Sequence, residues 1–225
     1  MDELKATRLS LVNLIINQFL LKMELKPENY TFKDFFLYYT KSNNIEIKFD
    51  IPYIEGKYFL GLTAKSPYSL AIFLNKRVYN RCLCFSACHE IIHCLFDMNT
   101  LLPTQTFFNV DDREGFYSDE EIAVEKLADC GAGVIMLPDI KLVKYLGTNK
   151  SFAQISDECQ MSHPALHSRL MDFGRYSCGM SEQVALKSTL ELRYQGSRVG
   201  FRFYLTGNHL NCEKQIILNY ENAIQ

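Results

Sequence analysis

His89-Glu90-Ile91-Ile92-His93 places two imidazoles four residues apart with a carboxylate beside the first. On an α-helix, positions i and i+4 share one face, so both rings can reach one metal ion. Zinc accepts imidazole nitrogen readily and prefers a tetrahedral shell. Glu90 sits where a carboxylate can take a proton from water bound to such an ion. The flanks predict the helix: Cys82 to Phe96 contains no Gly or Pro and is rich in apolar residues. The same five residues would also suit an ordinary amphipathic helix, so the rest of the chain must supply a further ligand.

A catalytic zinc site usually takes three protein ligands and leaves the fourth place to water. The third is expected on a second helix. Ser118-Asp119-Glu120-Glu121 has the form of a capping box, and Pro138 stops the helix that follows. Glu121, Glu125 and Asp129 recur every four residues and so share a face. Glu125 is the expected zinc ligand, with Glu121 in reserve. Asp129, one turn on, is placed to accept a hydrogen bond from the free ring nitrogen of a liganded histidine, an interaction that fixes the tautomer. The helix dipole explains Asp119, Glu120 and Glu121 without any chemistry. It explains Glu125 and Asp129 less well, because they lie deeper among Ala, Val, Leu and Ile.

These two segments together resemble the ImmA/IrrE-type zinc metallopeptidases. Members carry an apolar strand, then an H-E-x-x-H helix, then a helix with a pattern like E-x-E-A-[ND]-x-F-A-x-x-L-L-M-P. Here Leu70–Leu74 matches the strand, Arg81–Glu90 is similar to the R-F-T-L-A-H-E approach, and Glu125, Ala128, Asp129, Ala132, Ile135, Met136 and Pro138 fit the second helix. The similarity covers roughly residues 45–175 and stops before the tail. It implies a zincin-like core and a zinc-dependent endopeptidase, with His89, His93 and Glu125 holding Zn2+ and Glu90 as the catalytic acid–base. It also implies a protein substrate, with a helix-turn-helix transcriptional repressor as the expected one. Main-chain pairing of an extended peptide is expected along Leu70–Leu74.

The chain departs from the pattern at three places. Leu127 stands where the family has a second glutamate, Gly131 where it has phenylalanine, and the ending is Met136-Leu137-Pro138. Leu127 points about 200° away from Glu125 on a helical wheel, so Glu125 is preferred as ligand. The departures motivate a second reading from another class: a degenerate, non-catalytic metal-binding or regulator-binding module.

At 225 residues the chain can bury a full core, and a formal net charge of −2 provides no bulk field for nucleic acid or an anionic membrane. The most apolar run, Leu11 to Leu21, is broken by Asn13, Asn17 and Gln18, so no membrane span is expected. Met1-Asp-Glu-Leu-Lys5 lacks the basic start of a signal peptide, and a cytoplasmic location is expected. The eight cysteines form no Cys-x-x-Cys and read as reduced, mostly buried small hydrophobes. Cys88, beside His89, raises a cysteine nucleophile as a minor alternative.

The elements that must position these residues give an α+β fold. Helices are expected at 4–25 and 31–40, the second with an aromatic stripe of Phe32, Phe35, Phe36 and Tyr39 that reads as core. Strands follow near Ile45–Phe49, Lys57–Leu62 and Ser69–Leu74, punctuated by Pro52, Tyr53, Gly56, Gly61 and Pro67. Asn99–Tyr117 reads as a long loop between the two metal-site helices. Residues 151–174 have a helix-turn-helix rhythm, but Arg169 and Arg175 are nearly alone, so core helices are expected and not DNA contact. His163 and His167 repeat the i, i+4 spacing without a carboxylate and read as surface residues. Alternation at Leu190, Leu192, Tyr194 and at Val199, Phe201, Phe203, Leu205, with a further strand at Ile216–Tyr220, predicts a C-terminal antiparallel β extension. The resulting division is 1–44 for N-terminal helices, 45–178 for the zincin-like core and 179–225 for the extension.

Overall fold

Ile45–Lys48 (β1), Phe59–Lys65 (β2), Leu70–Leu74 (β3) and Gln105–Val110 (β4) form one mixed sheet in the order β1-β3-β2-β4. The computed structural model describes residues 2–49, 59–110, 117–207 and 211–224. Its helices are α1 (Asp2–Lys22), α2 (Phe32–Ser42), α3 (Asn80–Ile92), α4 (Asp119–Met136) and α5 (Asp139–Gly147). They continue with α6 (Phe152–Glu158), α7 (His163–Asp172), α8 (Glu182–Gln195), α9 (Val199–Thr206) and α10 (Cys212–Glu221). The fold is therefore mixed α+β. The chain divides into two compact units, one of Lys33–Ala132 and one of Asp2–Phe32 with Gly133–Gln225.

In the first unit, β1 runs parallel to β3, while β2 runs antiparallel to both β3 and β4. Alternation along β2 puts Phe59, Gly61 and Thr63 on its buried face. Gly61, named among the residues that punctuate the strands, thus lies inside β2. The strand expected near Lys57–Leu62 begins at Phe59 among the described residues; Lys57, Pro52, Tyr53 and Gly56 lie outside them. β3 has a partner on each side, so both of its backbone edges are engaged. This corrects the expectation that Leu70–Leu74 holds an extended peptide. β4 is a second correction, a strand inside what reads as loop, because Gln-Thr-Phe-Phe-Asn-Val shows no clean two-residue alternation.

α3 is buried all round from Ser86 to Ile92, which explains why it shows no amphipathic stripe. It does not end at His93 but passes into a π-helical turn, His93–Asp97, closed by Met98 N–H donating to His93 O at 3.1 Å. On α2, Phe35 is buried and stacks on Tyr39 with ring centroids 5.8 Å apart, the core role its spacing predicts.

The described secondary structure of the second unit is all helical. α1 buries Leu9, Val12, Ile16, Phe19 and Leu20, a stripe of helical period. Tyr30 is buried, its hydroxyl donating to Ile135 O at 2.6 Å, and its carbonyl accepts from Lys141 Nζ at 2.5 Å. α6 and α7 occupy the segment with the helix-turn-helix rhythm. Arg169 on α7 is buried, donating from Nε to Leu137 O at 2.9 Å and pairing through Nη2 with Asp139. It is committed to the core, as expected of this segment.

The described part of residues 179–225 is α8, α9 and α10, not the antiparallel β extension expected of it. Ser181 caps α8 by accepting from Val184 N–H at 3.4 Å. Gly196, at φ +67°, terminates that helix in the left-handed region. The buried stripe of α8 is Ala185, Ser188, Thr189 and Leu192, small and polar for the most part, so the alternating leucines misstate which face is inside. A side chain on Gly200 would run into Ser188 Oγ, so the small residues allow α8 and α9 to approach closely. Phe201 and Leu205 on α9, and Cys212 and Ile216 on α10, are buried at i, i+4, a spacing common to helix and strand.

Candidate metal centre

The helical register of α3 brings the His89 and His93 Nε2 atoms to 3.0 Å from one another. α4 supplies the third group. Glu125 Oε2 lies 3.1 Å from His89 Nε2, and Oε1 lies 3.3 Å from His93 Nε2. All three residues are buried, and their ligand atoms lie within 4.8 Å of one another. Ligands about 2.0 Å from a tetrahedral ion stand about 3.3 Å apart, close to the separation of the two Nε2 atoms and to the contact each ring makes with its own oxygen of Glu125. Two imidazoles and a carboxylate also have the donor chemistry of a borderline-soft divalent metal. This buried His-His-Glu group can hold a metal ion.

Each imidazole is gripped from behind. His89 Nδ1–H donates to Asp129 Oδ1 at 2.9 Å, and His93 Nδ1–H donates to Asp97 Oδ2 at 2.9 Å. Both bonds leave the Nε2 atoms facing inward. The His93 ring also stacks on Phe107 of β4, with centroids 4.5 Å apart and planes 8° from parallel. Asp97 reaches its partner from within the π-helical turn.

The charges follow from these contacts. Burial pushes the His89 imidazole down, but hydrogen bonds to Asp129 and Glu125 outweigh it and raise the group to about 10. Burial opposes and Asp97 and Glu125 raise His93 in the same way. For Glu125 burial would raise the carboxyl, and the two histidines instead hold it down at about 2. The His89 ring of the cluster without metal thus carries a proton that a bound cation would displace.

Glu90 lies against β2. Thr63 Oγ1 donates to its Oε2 at 2.7 Å, while Oε1 is buried without a hydrogen-bond partner. A Cβ added to Gly61 would stand 2.6 Å from that Oε1, so the carboxylate occupies room that only glycine leaves. Burial pushes the Glu90 carboxyl above its usual range, against the pull of His89, His93 and Thr63.

The structure brings His89, His93, Glu125 and Asp129 together as their spacing predicts, with Glu90 beside them. Glu121, the reserve ligand, is employed elsewhere: its Oε2 accepts from Ser118 N–H at 2.8 Å and Ser118 Oγ at 2.9 Å, completing the capping box of α4. Asp97, Thr63, Gly61 and Phe107 escape sequence reasoning. His93-x-x-x-Asp97 carries a local signal, an acid one turn after a ligand; the other three reach the site only through the sheet. Cys88 is buried, and burial raises its thiol and takes that of Cys94 up to about 12, so neither is a ready nucleophile. All eight cysteines are free thiols, five of them buried. No helix among the described residues is long and apolar enough to cross a membrane. Comparison with protein-family models, curated proteins and solved structures finds no match.

Proposed function

We propose that the chain is a zinc-dependent endopeptidase with a zincin-like core. The observation that carries this reading is the convergence of His89 Nε2, His93 Nε2 and Glu125 on one buried point, with Glu90 next in sequence to the first ligand. His89, His93 and Glu125 would hold the ion. Bound zinc supplies Lewis-acid polarisation of a scissile carbonyl and lowers the pKa of a coordinated water. Glu90 would take a proton from the attacking water and return it to the leaving amine; burial holds its carboxyl above the usual range, the direction that favours proton return. Asp129 and Asp97 hold the two rings in the tautomer that turns Nε2 toward the ion. β4 pairs with β2 alone among the described residues, so its other edge is the one on which an extended peptide would lie beside His93.

By the resemblance drawn from the sequence, the substrate is a protein, with helix-turn-helix repressors as first candidates. The test incubates zinc-loaded protein with candidate repressors. Cleavage is expected from the wild type and loss of at least about a hundredfold in Glu90→Gln, with zinc content unchanged. Cleavage that persists in that variant would assign the activity to something else.

One observation favours the second reading, a module that holds a regulator without cutting it. Glu90 is 0% exposed and tethered to Thr63, which keeps its carboxylate from solvent. Stable co-purification of an intact regulator, unchanged by Glu90→Gln, would select the module over the peptidase.

A further inference from the structure

Cys178 follows the π-helical turn Phe173–Ser177, and Cys212 is the first residue of α10. Both belong to the helical unit and both are buried, at 2% and 6% exposure. Their thiols are in hydrogen-bonding contact, although they stand far apart in sequence. The backbone of Cys178 is fixed by its N–H, which donates to Phe173 O at 3.0 Å. Cys212 Sγ also donates to Tyr204 O at 3.0 Å.

The pair is asymmetric. Cys212 lines a cleft of about 520 Å³ together with Asn13, Asp139 and Ser177, and Cys178 does not. A small reagent therefore meets Cys212 first. Donation from the Cys178 S–H, and from the N–H groups of Cys212 and Glu213 at the start of α10, holds the Cys212 thiol below its usual range despite burial. The same contact, with burial and the Asp139 charge, pushes Cys178 well above that range. Cys84, Cys88, Cys94 and Cys159 are also pushed up, by burial first of all, so Cys212 stands apart from them. A thiol of thiolate character, reached through a cleft and backed by a second thiol, has the parts of a peroxide-responsive pair.

We propose that Cys178 and Cys212 form a reversible disulfide when hydrogen peroxide enters the cleft. The Cys212 sulfur attacks one peroxide oxygen: an S–O bond forms, the O–O bond breaks, and the departing hydroxide leaves as water with the thiol proton. The Cys178 sulfur then attacks the Cys212 sulfenic acid. An S–S bond forms, the S–O bond breaks, and a second water carries off the hydroxyl and the Cys178 proton. Peroxide gains two electrons, and the two thiols supply them. The new bond would tie the segment after α7 to the start of α10, next to the Ser177–Asp139 hydrogen bond. The inference is independent of the metal centre.

The test adds hydrogen peroxide stepwise to the reduced full chain until half of the exposed Cys82 is oxidised. Remaining thiols are alkylated, and the unreduced digest is read by mass spectrometry. At least half of the molecules should by then carry a Cys178–Cys212 link, and dithiothreitol should remove it. Cys178→Ser should leave Cys212 as a sulfenic acid that dimedone traps, whereas Cys212→Ser should leave Cys178 a thiol. The wild-type map carries the test should either variant fail to fold. A smaller yield, a link made only in urea, or undiminished oxidation of Cys178 in a folded Cys212→Ser would each overturn the proposal.

Discussion

Asp129 Oδ1 lies 2.9 Å from His89 Nδ1, while Glu125 Oε2 lies 3.1 Å from Nε2 of the same ring. One turn of α4 therefore engages both ends of one imidazole, and the ring has a single orientation in which both contacts survive. His93 is held by the same logic from its own helix, through Asp97.

The first prediction follows from that grip. Asp129→Ala and Asp97→Ala should each weaken zinc binding by roughly 10–100-fold with the fold intact. Glu125→Ala should do more, since it removes a ligand and its charge. Lys126→Ala, exposed on another face of α4, should do little. Competition against a zinc chelator ranks the four; an effect of Lys126→Ala larger than that of Asp129→Ala would contradict the assigned face.

The second concerns protons. His89 is raised to about 10 from an ordinary 6.5, so its contribution to the stability of the metal-free protein is complete below about 6.5. That contribution is lost as pH climbs through about 10. Metal needs the unprotonated Nε2, so binding between pH 7 and 8 should release protons. Affinity should rise about tenfold per pH unit for each proton released. Calorimetry in buffers of different ionisation enthalpy measures the number directly, and a value of zero would mean that the rings are neutral beforehand.

Gly131 supports a third. A Cβ there would stand 2.6 Å from Ile92 Cδ1 and 2.8 Å from Cγ1, and Ile92 is fully buried and stiff at χ1. Gly131→Ala should cost about 1–3 kcal/mol. Ile92→Val should recover part of that in the double variant, a coupling that a mutant cycle reads out. Gly147→Ala, with nothing within 4 Å of the added carbon and no positive φ, should be neutral or stabilise by up to about 1 kcal/mol. Urea titrations of the four proteins would reveal whether the cost at Gly131 is steric.

The fourth lies in the helical unit. Asp139→Ala would leave the Arg169 guanidinium, 2% exposed, without its carboxylate. Loss of about 3–5 kcal/mol is expected, because a buried charge is then uncompensated. Replacing both residues by apolar ones of similar volume should cost less than the single change. The same denaturation measurements decide it, and a single variant as stable as the wild type would show that solvent reaches Arg169.

What the sequence determined by itself is the set of relations internal to a helix. His89 with His93, Glu125 with Asp129, and Ser118 with Glu121 are each within one turn, and the 3.6-residue period alone puts such pairs on one face. The mixed α+β class and the sheet strands β1 and β3 were legible on similar local grounds. Tertiary structure decided the rest. Thr63 and Gly61 reach Glu90, and Phe107 reaches His93, only because β2 and β4 pair beside one another, a choice set by partners distant in sequence. It also decided that Leu70–Leu74 is interior and that the described part of 179–225 is helical. Spacings such as Phe201/Leu205 satisfy both the two-residue and the 3.6-residue period. Small residues such as Gly200 and Ser188 then resolved the ambiguity toward closely packed helices, a contact that no local pattern encodes.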